Sequence, residues 1–156
     1  MRIAWLALTF ALSAASAASA GEFVVVSSTD PAFRAGHELE AGATVPLAPG
    51  QTLVVIHASG AVTRLMGSPK GAMVPMVRMA TADAQRVEVL RMLVAQPRAR
   101  RSGVIPSQAC PAPETLTEME GIIAAARRSG CVPAARQAFG AYVERALGES
   151  PPPPEV

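Results

Sequence analysis

The stretch that decides the fold runs from Glu22 to Pro69 and reads EFVVVSSTDPAFRAGHELEAGATVPLAPGQTLVVIHASGAVTRLMGSP. Runs of β-branched and apolar residues alternate in it with glycine, proline and aspartate, which is typical of short strands separated by tight turns. This pattern predicts a small antiparallel β unit, built as a meander or in a sandwich-like way. We expect its strands at 23–28, 44–47, 52–56 and 61–65.

Residues 52–56 (TLVVI) are the strongest strand candidate in the chain. Almost every residue there is apolar, so we expect both faces of the strand to be covered. The preceding Pro49-Gly50 pair predicts a type II turn, because proline presets φ at the first central position and glycine accepts a positive φ at the second. Pro46 places the strand at 44–47 at a sheet edge or a bulge.

Helical patterns follow the β unit. Residues 70–103 are expected to form a methionine-containing connector, a packing helix and a basic linker. Thr81 can cap the helix, which is predicted over 82–95 and ends before Pro97. Its apolar stripe recurs at three- and four-residue steps; the stripe comprises Val87, Leu90 and Val94.

A helical hairpin is predicted over 110–148. Thr115 and Glu118 match a capping box at the start of a helix that reaches about Arg128, with Gly130 just past its end. Pro133 can open the second helix, which ends at Gly148. The apolar faces are Met119, Ile122, Ile123 and Ala126 on the first helix and Phe139, Tyr142, Val143 and Ala146 on the second. The fold class is therefore α+β, followed by a disordered proline-rich tail at 149–156.

The chain contains two cysteines, Cys110 and Cys131. An even number of cysteines predicts a disulfide if the chain is exported, which residues 1–20 indicate, and the bridge would staple the helical hairpin. A metal site is the alternative, but the additional ligands it needs are not close in sequence, since no histidine follows His57. We therefore predict the Cys110–Cys131 bridge.

The first twenty residues predict a secretory signal peptide. Arg2 provides the basic start, and residues 3–12 form an apolar run that is too short to span a bilayer. Ala18-Ser19-Ala20 matches the small-residue cleavage pattern, so we expect cleavage near Ala20 and a periplasmic or secreted mature chain without a transmembrane helix. An uncleaved membrane anchor is the alternative interpretation.

The glycines and apolar positions of residues 22–69 resemble the periplasmic FecR-type β domain and related small exported β domains of proteobacteria. The matching positions are Gly36, Gly42, Thr44, Leu47, Gly50, Leu53, Val55, Ser59, Gly60 and Leu65. The resemblance implies a β-rich envelope domain, usually non-enzymatic and concerned with contacts to other macromolecules. It does not extend to the cytoplasmic segment and membrane helix through which FecR proteins contact a sigma factor, so that signalling role is not expected.

Composition and charge argue against several activities. Without residues 1–20 the chain has 13 basic and 12 acidic side chains, a balance that argues against nucleic acid as a partner. Ser59 lies near His57 in sequence, but a nucleophilic serine also needs an orienting acid, and Ser59-Gly60 is more simply interpreted as a turn. Glu38 and Glu40 are interpreted as an exposed acidic loop. We expect no enzyme activity and no cofactor.

Three methionines recur at three-residue spacing: Met73, Met76 and Met79. Thioether sulfur is a soft ligand that selects Cu(I), so a copper site is one interpretation. The favoured interpretation is that these flexible side chains fill space over the sheet. Arg98, Arg100 and Arg101 could contact anionic headgroups or acidic envelope polymers, but a solvated linker is the simpler explanation.

The leading functional hypothesis is a non-enzymatic envelope or periplasmic interaction module. Its partner would be another envelope protein or a cell-wall component. Soft-metal binding through the methionine stretch is the alternative. Within the β unit, His37, His57 and Arg64 are the side chains to which the sequence assigns no role.

Overall fold

The computed structural model describes residues 21–76, 84–95 and 109–149. Several predicted features lie outside these ranges. They are the signal peptide, Met79, Thr81, the cluster at Arg98, Arg100 and Arg101, and the prolines at 151–154.

Six strands form two antiparallel sheets in the described residues. They are β1 (Phe23–Ser28), β2 (Glu38–Leu39), β3 (Thr44–Val45), β4 (Thr52–His57), β5 (Val62–Met66) and β6 (Ala72–Met73). The main sheet has the order β2-β1-β4-β5, whereas β3 and β6 form a separate two-stranded ribbon. The predicted antiparallel unit is confirmed. Since β4 pairs with β1 and not with the strand before it, the arrangement is sandwich-like rather than a simple meander.

The strand boundaries differ from the prediction in three places. β3 ends at Val45, directly before Pro46, which cannot donate a ladder hydrogen bond. β2 and β6 were not predicted, because each has two residues and is defined by its partner strand rather than by a local pattern. β6 lies in the predicted connector, so the β structure extends beyond Pro69.

The main sheet is the middle of three layers. Successive residues of a strand point to opposite faces, and Val24 and Ile56 accordingly pack in a cluster with the helices. Phe23, Val25 and Val55 pack in a second cluster with the ribbon. The last five residues of β4 are buried. The expectation that both faces of this strand are covered is therefore confirmed.

Three helices cover one face of the main sheet. They are α1 (Ala84–Val94), α2 (Met119–Ala126) and α3 (Val132–Glu149), with a short 3₁₀ turn at Pro113–Thr115 before α2. The four predicted apolar residues of α2 are all buried. In α1, Val87 and Leu90 are buried as predicted, and Val89 and Leu93 widen the buried face.

The predicted capping box is wrong. The Thr115 hydroxyl donates a hydrogen bond to the Ala112 carbonyl and lies within the 3₁₀ turn. Glu118 is the extended residue that precedes α2, and its side chain makes no capping hydrogen bond. The helix also ends at Ala126, so Gly130, with φ of 85°, lies in the turn before α3 rather than directly after α2.

The predicted disulfide between Cys110 and Cys131 is present. Their Cα atoms are 5.4 Å apart, within the usual range for a bridge. Cys131 is buried between α2 and α3, whereas Cys110 is exposed. The bridge therefore fastens the segment that leads into α2 to the turn of the helical hairpin. None of the helices in the described ranges combines the length and apolar character that a membrane span requires.

Candidate functional site

The exposed large hydrophobic side chains of the described residues are all methionines. Met73 is 67% exposed and Met76 is 80% exposed, and Met66 on β5 is 50% exposed. The interpretation of Met73 and Met76 as apolar fill over the sheet is therefore wrong, because Ala72 and Val74 occupy the inward positions of this segment. Single exposed apolar residues are common, but neighbouring ones mark contact surfaces.

Met73 and Met76 both lie on the outer side of the ribbon. Met73 is the cross-strand partner of Thr44, which is also exposed. The Met76 side chain lies over Gly42, where a Cβ atom would be 3.1 Å from the Met76 Cγ and Cε atoms. Ala41 and Ala43, which flank Gly42, pack inward against the core. We call the surface formed by Gly42, Thr44, Met73 and Met76 the ribbon face.

A groove of about 540 Å³ opens beside the ribbon face. Two loops provide its walls, and Thr44 belongs to both the groove and the ribbon face. The lining residues are Thr44, Pro46, Leu47, Ala48, Pro49, Ser68, Pro69, Lys70 and Gly71. Proline and small residues dominate this lining, so the groove presents a rigid and mostly apolar surface.

Close backbone approaches hold the two walls in place. At Gly67 a Cβ atom would lie 1.9 Å from the Ala48 carbonyl oxygen, and at Gly71 it would lie 2.5 Å from the Val45 carbonyl oxygen. The Pro49-Gly50 turn forms as predicted, with a Gly50 φ of 82° and a hydrogen bond from Gln51 N–H to the Ala48 carbonyl. The groove is thus built by the backbone and does not depend on flexible side chains.

Lys70 is the one lysine of the sequence, and it lies in the groove wall. Its side chain is exposed, and its backbone N–H donates to the Ser68 hydroxyl. The Ser68 hydroxyl donates in turn to the Gly71 carbonyl. Among residues 21–76, 84–95 and 109–149, the Lys70 ammonium forms no ion pair. It places a positive charge beside an apolar surface.

A second arrangement of polar groups surrounds His57, at the end of β4. The His57 side chain is buried, and its Nδ1 atom lies 2.8 Å from the Ser59 Oγ. Its Nε2 atom lies 4.0 Å from a carboxylate oxygen of Glu22, and its ring packs against Phe23 at 4.9 Å between centroids. Burial lowers the pKa of His57 below 6.5, against the smaller opposing effect of the Glu22 carboxylate.

Serine, histidine and glutamate in this order resemble a hydrolytic triad, but the hydrogen bonds favour a structural role. The Ser59 backbone N–H donates to His57 Nδ1 at 3.0 Å, so this nitrogen is already engaged by the turn. The next backbone N–H, of Gly60, donates to the His57 carbonyl and is not directed at a substrate position. A hydrolase would need free donors there to stabilise an oxyanion. The arrangement instead resembles the local turns that Asx side chains make with the N–H two residues ahead.

The other residues that the sequence suggested as candidates do not come together in one site. Glu38 lies in β2 and pairs with Arg91 of α1 at 3.0 Å, so it is not part of an exposed acidic loop, whereas Glu40 is exposed. His37 and Arg64 are exposed. Within the described ranges, no group of three or more histidine, cysteine, aspartate or glutamate residues is placed to hold a metal ion.

Comparisons with protein-family models, with curated proteins and with solved structures found no significant match to this chain.

Proposed function

We propose that this chain is an exported, non-enzymatic interaction module that binds a partner protein of the bacterial envelope through the ribbon face and the adjoining groove. The observation that carries the proposal is the exposure of Met73 and Met76 on an otherwise well-packed domain. Flexible thioether side chains adapt to different apolar surfaces and are frequent at protein-binding sites. The resemblance of residues 22–69 to FecR-type β domains supports the same class of function.

The compartment is part of the proposal. The signal-peptide pattern of residues 1–20 supports export, since its apolar run is short and its cleavage pattern is followed by the first strand. The disulfide supports an oxidising compartment such as the periplasm, because such bonds persist there and are rare in the cytosol.

The groove indicates the chemistry of the partner. Its rigid, proline-lined walls suit an extended segment better than a compact polar ligand. Apolar side chains of that segment would cover Met73 and Met76, and an acidic group would lie beside Lys70. Covering two methionines would provide most of the affinity, whereas a rim charge pair would mainly affect association rate and specificity.

The single lysine provides a specific test. An amine-reactive photo-crosslinker attached to Lys70 places the reactive group in the groove, and Lys70→Arg removes the attachment while keeping the charge. We expect illumination of envelope fractions to give one protein adduct that the Lys70→Arg control lacks. The captured protein is then purified, and its affinity for the chain is measured directly.

Matched methionine substitutions test whether the ribbon face is the contact surface. The Met73→Ser and Met76→Ser double variant should weaken the purified complex by about tenfold or more, because two contact side chains worth roughly 1 kcal/mol each are truncated. Met66→Ser is the control. Met66 is also exposed, but it lies with Arg64 on the face of the main sheet that is opposite the ribbon. An equal loss of affinity in the double variant and in Met66→Ser would contradict the proposal. So would binding of the wild-type chain to purified peptidoglycan that is unchanged in the double variant.

Soft-metal binding is the second candidate, and the exposure of Met73 and Met76 favours it as well. Two accessible thioethers could hold Cu(I), with Met79 as a third ligand. Titration of the reduced-copper ion into the purified protein tests this directly. Saturable binding at one equivalent that is lost in the Met73, Met76 and Met79 triple variant would support it. Binding unchanged by that variant would exclude it.

A further inference from the structure

The turn between β4 and β5, residues 57–60, connects the main sheet to all three helices. The Arg86 Nε of α1 donates a 2.8 Å hydrogen bond to the Ala58 carbonyl. The Tyr142 hydroxyl of α3 donates to the Gly60 carbonyl at 3.0 Å. Met119 of α2 packs on Gly60, where a Cβ atom would lie 3.2 Å from the Met119 Cγ. The turn is therefore a point at which all three helices contact the β structure.

His57 holds the turn from inside. Its Nδ1 atom accepts the backbone N–H of Ser59 at 3.0 Å, and a backbone N–H can act only as a donor. The neutral ring must therefore carry its proton on Nε2, on the side of Glu22. The Ser59 hydroxyl lies 2.8 Å from Nδ1 and can donate a second hydrogen bond to the same nitrogen. The His57 side chain is 4% exposed, whereas Ser59 lies at the surface.

We propose that the His57–Gly60 turn is a pH-sensitive latch, in which protonation of His57 at Nδ1 releases the Ser59 backbone N–H and loosens the attachment of the three helices to the sheet. Protonation turns Nδ1 from an acceptor into a donor that faces another donor. The Ser59 hydroxyl can rotate to accept the new N–H, but the backbone N–H has no such freedom. The turn must then shift, and the carbonyls of Ala58 and Gly60 shift with it.

The charged and titratable groups around the turn set the direction of the effect. Glu22 faces Nε2 and favours the protonated ring, while the Arg86 guanidinium, which pairs with Glu120, contacts the turn from α1. Tyr142 contacts it from α3 through its hydroxyl. Burial outweighs Glu22, so the pKa of His57 is lower in the folded chain than the 6.5 of a free histidine. The stabilisation by neutral His57 is therefore complete above about pH 6.5 and is lost as the pH falls through the folded-state value.

Substitution of His57 by asparagine distinguishes the effect of His57 protonation from the effect of acid on the rest of the chain. The Asn Oδ1 atom stands where Nδ1 stands relative to Cβ, and it can accept the N–H two residues ahead without titrating near neutrality. We expect the thermal unfolding midpoint of the wild-type chain to fall by several degrees between pH 7.5 and pH 5.0. The fall should be clearly smaller in His57→Asn. His37→Asn, at the exposed histidine, should behave as the wild type.

A spectroscopic measurement covers the case in which His57→Asn does not fold. Nitrogen-resolved NMR of the wild-type imidazole should show the Nε2–H tautomer at pH 7.5, and the Gly60 amide resonance should shift with the same titration as His57. The Nδ1–H tautomer at pH 7.5 would overturn the proposal. So would equal acid-induced losses in the wild type and a folded His57→Asn variant.

Discussion

The Tyr142 hydroxyl donates a 3.0 Å hydrogen bond to the carbonyl of Gly60, a residue 82 positions earlier in the chain. Gly60 is buried and has a positive φ of 99°, so its carbonyl cannot easily turn to solvent. The bond joins α3 to the turn between β4 and β5. It is therefore a long-range contact through which the helical hairpin and the β structure stabilise one another.

Removal of this hydroxyl should be measurable. We expect Tyr142→Phe to lower the free energy of unfolding by about 1 kcal/mol, because a buried carbonyl loses its partner while the ring packing is kept. Urea unfolding at pH 7.5 measures the change. Thr115→Val is the matched control, since the Thr115 hydroxyl also bonds to a carbonyl but is exposed; its effect should stay within about 0.5 kcal/mol. A similar loss in both variants would contradict a special role for the Tyr142 contact.

The fold could be predicted where a local pattern coincides with burial. The four central residues of β4 are apolar and the strand is covered on both faces, and the three-to-four spacing of Met119, Ile122 and Ala126 identifies the buried side of α2. β2 and β6 could not be predicted, because neither contains a run of β-branched residues and each arises from pairing with another segment of the chain. The capping-box prediction failed because Pro113 begins a 3₁₀ turn that uses the Thr115 hydroxyl for itself.

Less of the candidate site than of the fold could be predicted from the sequence. The spacing of Met73 and Met76 drew attention to them, but their exposure depends on which residues the ribbon turns inward, and that register is set by pairing with β3. The groove depends on the approach of Gly67 to Ala48, which are 19 positions apart in sequence. The glycines and prolines of both loops predicted turns, but they did not predict that the two loops contact each other.

The disulfide should be a large contributor to stability. Cys110 and Cys131 are 21 positions apart, and closing a loop of this length stabilises the folded chain by about 3 kcal/mol in the chain-entropy model. We therefore expect a reductant to lower the free energy of urea unfolding by about that amount. A Cys110→Ser and Cys131→Ala variant should not respond to the reductant. Free thiols that label in protein purified without reductant would contradict the bridge.

Arg136 should stabilise the end of α1. Its guanidinium donates from Nε to the Leu93 carbonyl at 3.0 Å and from Nη2 to the Met92 carbonyl at 2.9 Å. These carbonyls lie in the last turn of α1, where intrahelical partners are lacking and a positive charge is favourable. We expect Arg136→Met to lower the free energy of unfolding by about 2 kcal/mol, since two charge-assisted hydrogen bonds are lost.

Arg91 provides the comparison for Arg136. It pairs with Glu38 and Glu88, but its side chain is 48% exposed, and such surface pairs contribute less than about 1 kcal/mol. Arg91→Met should accordingly have the smaller effect in the same urea titration, and its effect should diminish further in high salt. If Arg91→Met lowered the free energy of unfolding more than Arg136→Met, the hydrogen bonds from Arg136 to the end of α1 would not stabilise the chain as expected.

Gly67 and Gly140 offer a matched pair of glycine-to-alanine substitutions with opposite expected signs. A Cβ atom at Gly67 would lie 1.9 Å from the Ala48 carbonyl oxygen, so the two walls of the groove would have to separate. Overpacking against backbone of this kind should cost about 3 kcal/mol. Gly140 is exposed within α3, and a Cβ atom added there would meet no neighbouring atom within 4 Å outside the helix's own backbone, so Gly140→Ala should stabilise the chain by up to about 1 kcal/mol.

The same pair connects stability with the proposed binding surface. Gly67→Ala should reduce crosslinking from Lys70 even at temperatures where the variant remains folded, because the displaced wall includes Ala48 and Ser68. Gly140→Ala should leave the crosslinking yield unchanged while raising the unfolding midpoint. If Gly67→Ala crosslinks as well as the wild type while still losing stability, the partner contacts the ribbon face alone. The groove would then serve to position the ribbon and would not itself bind the partner.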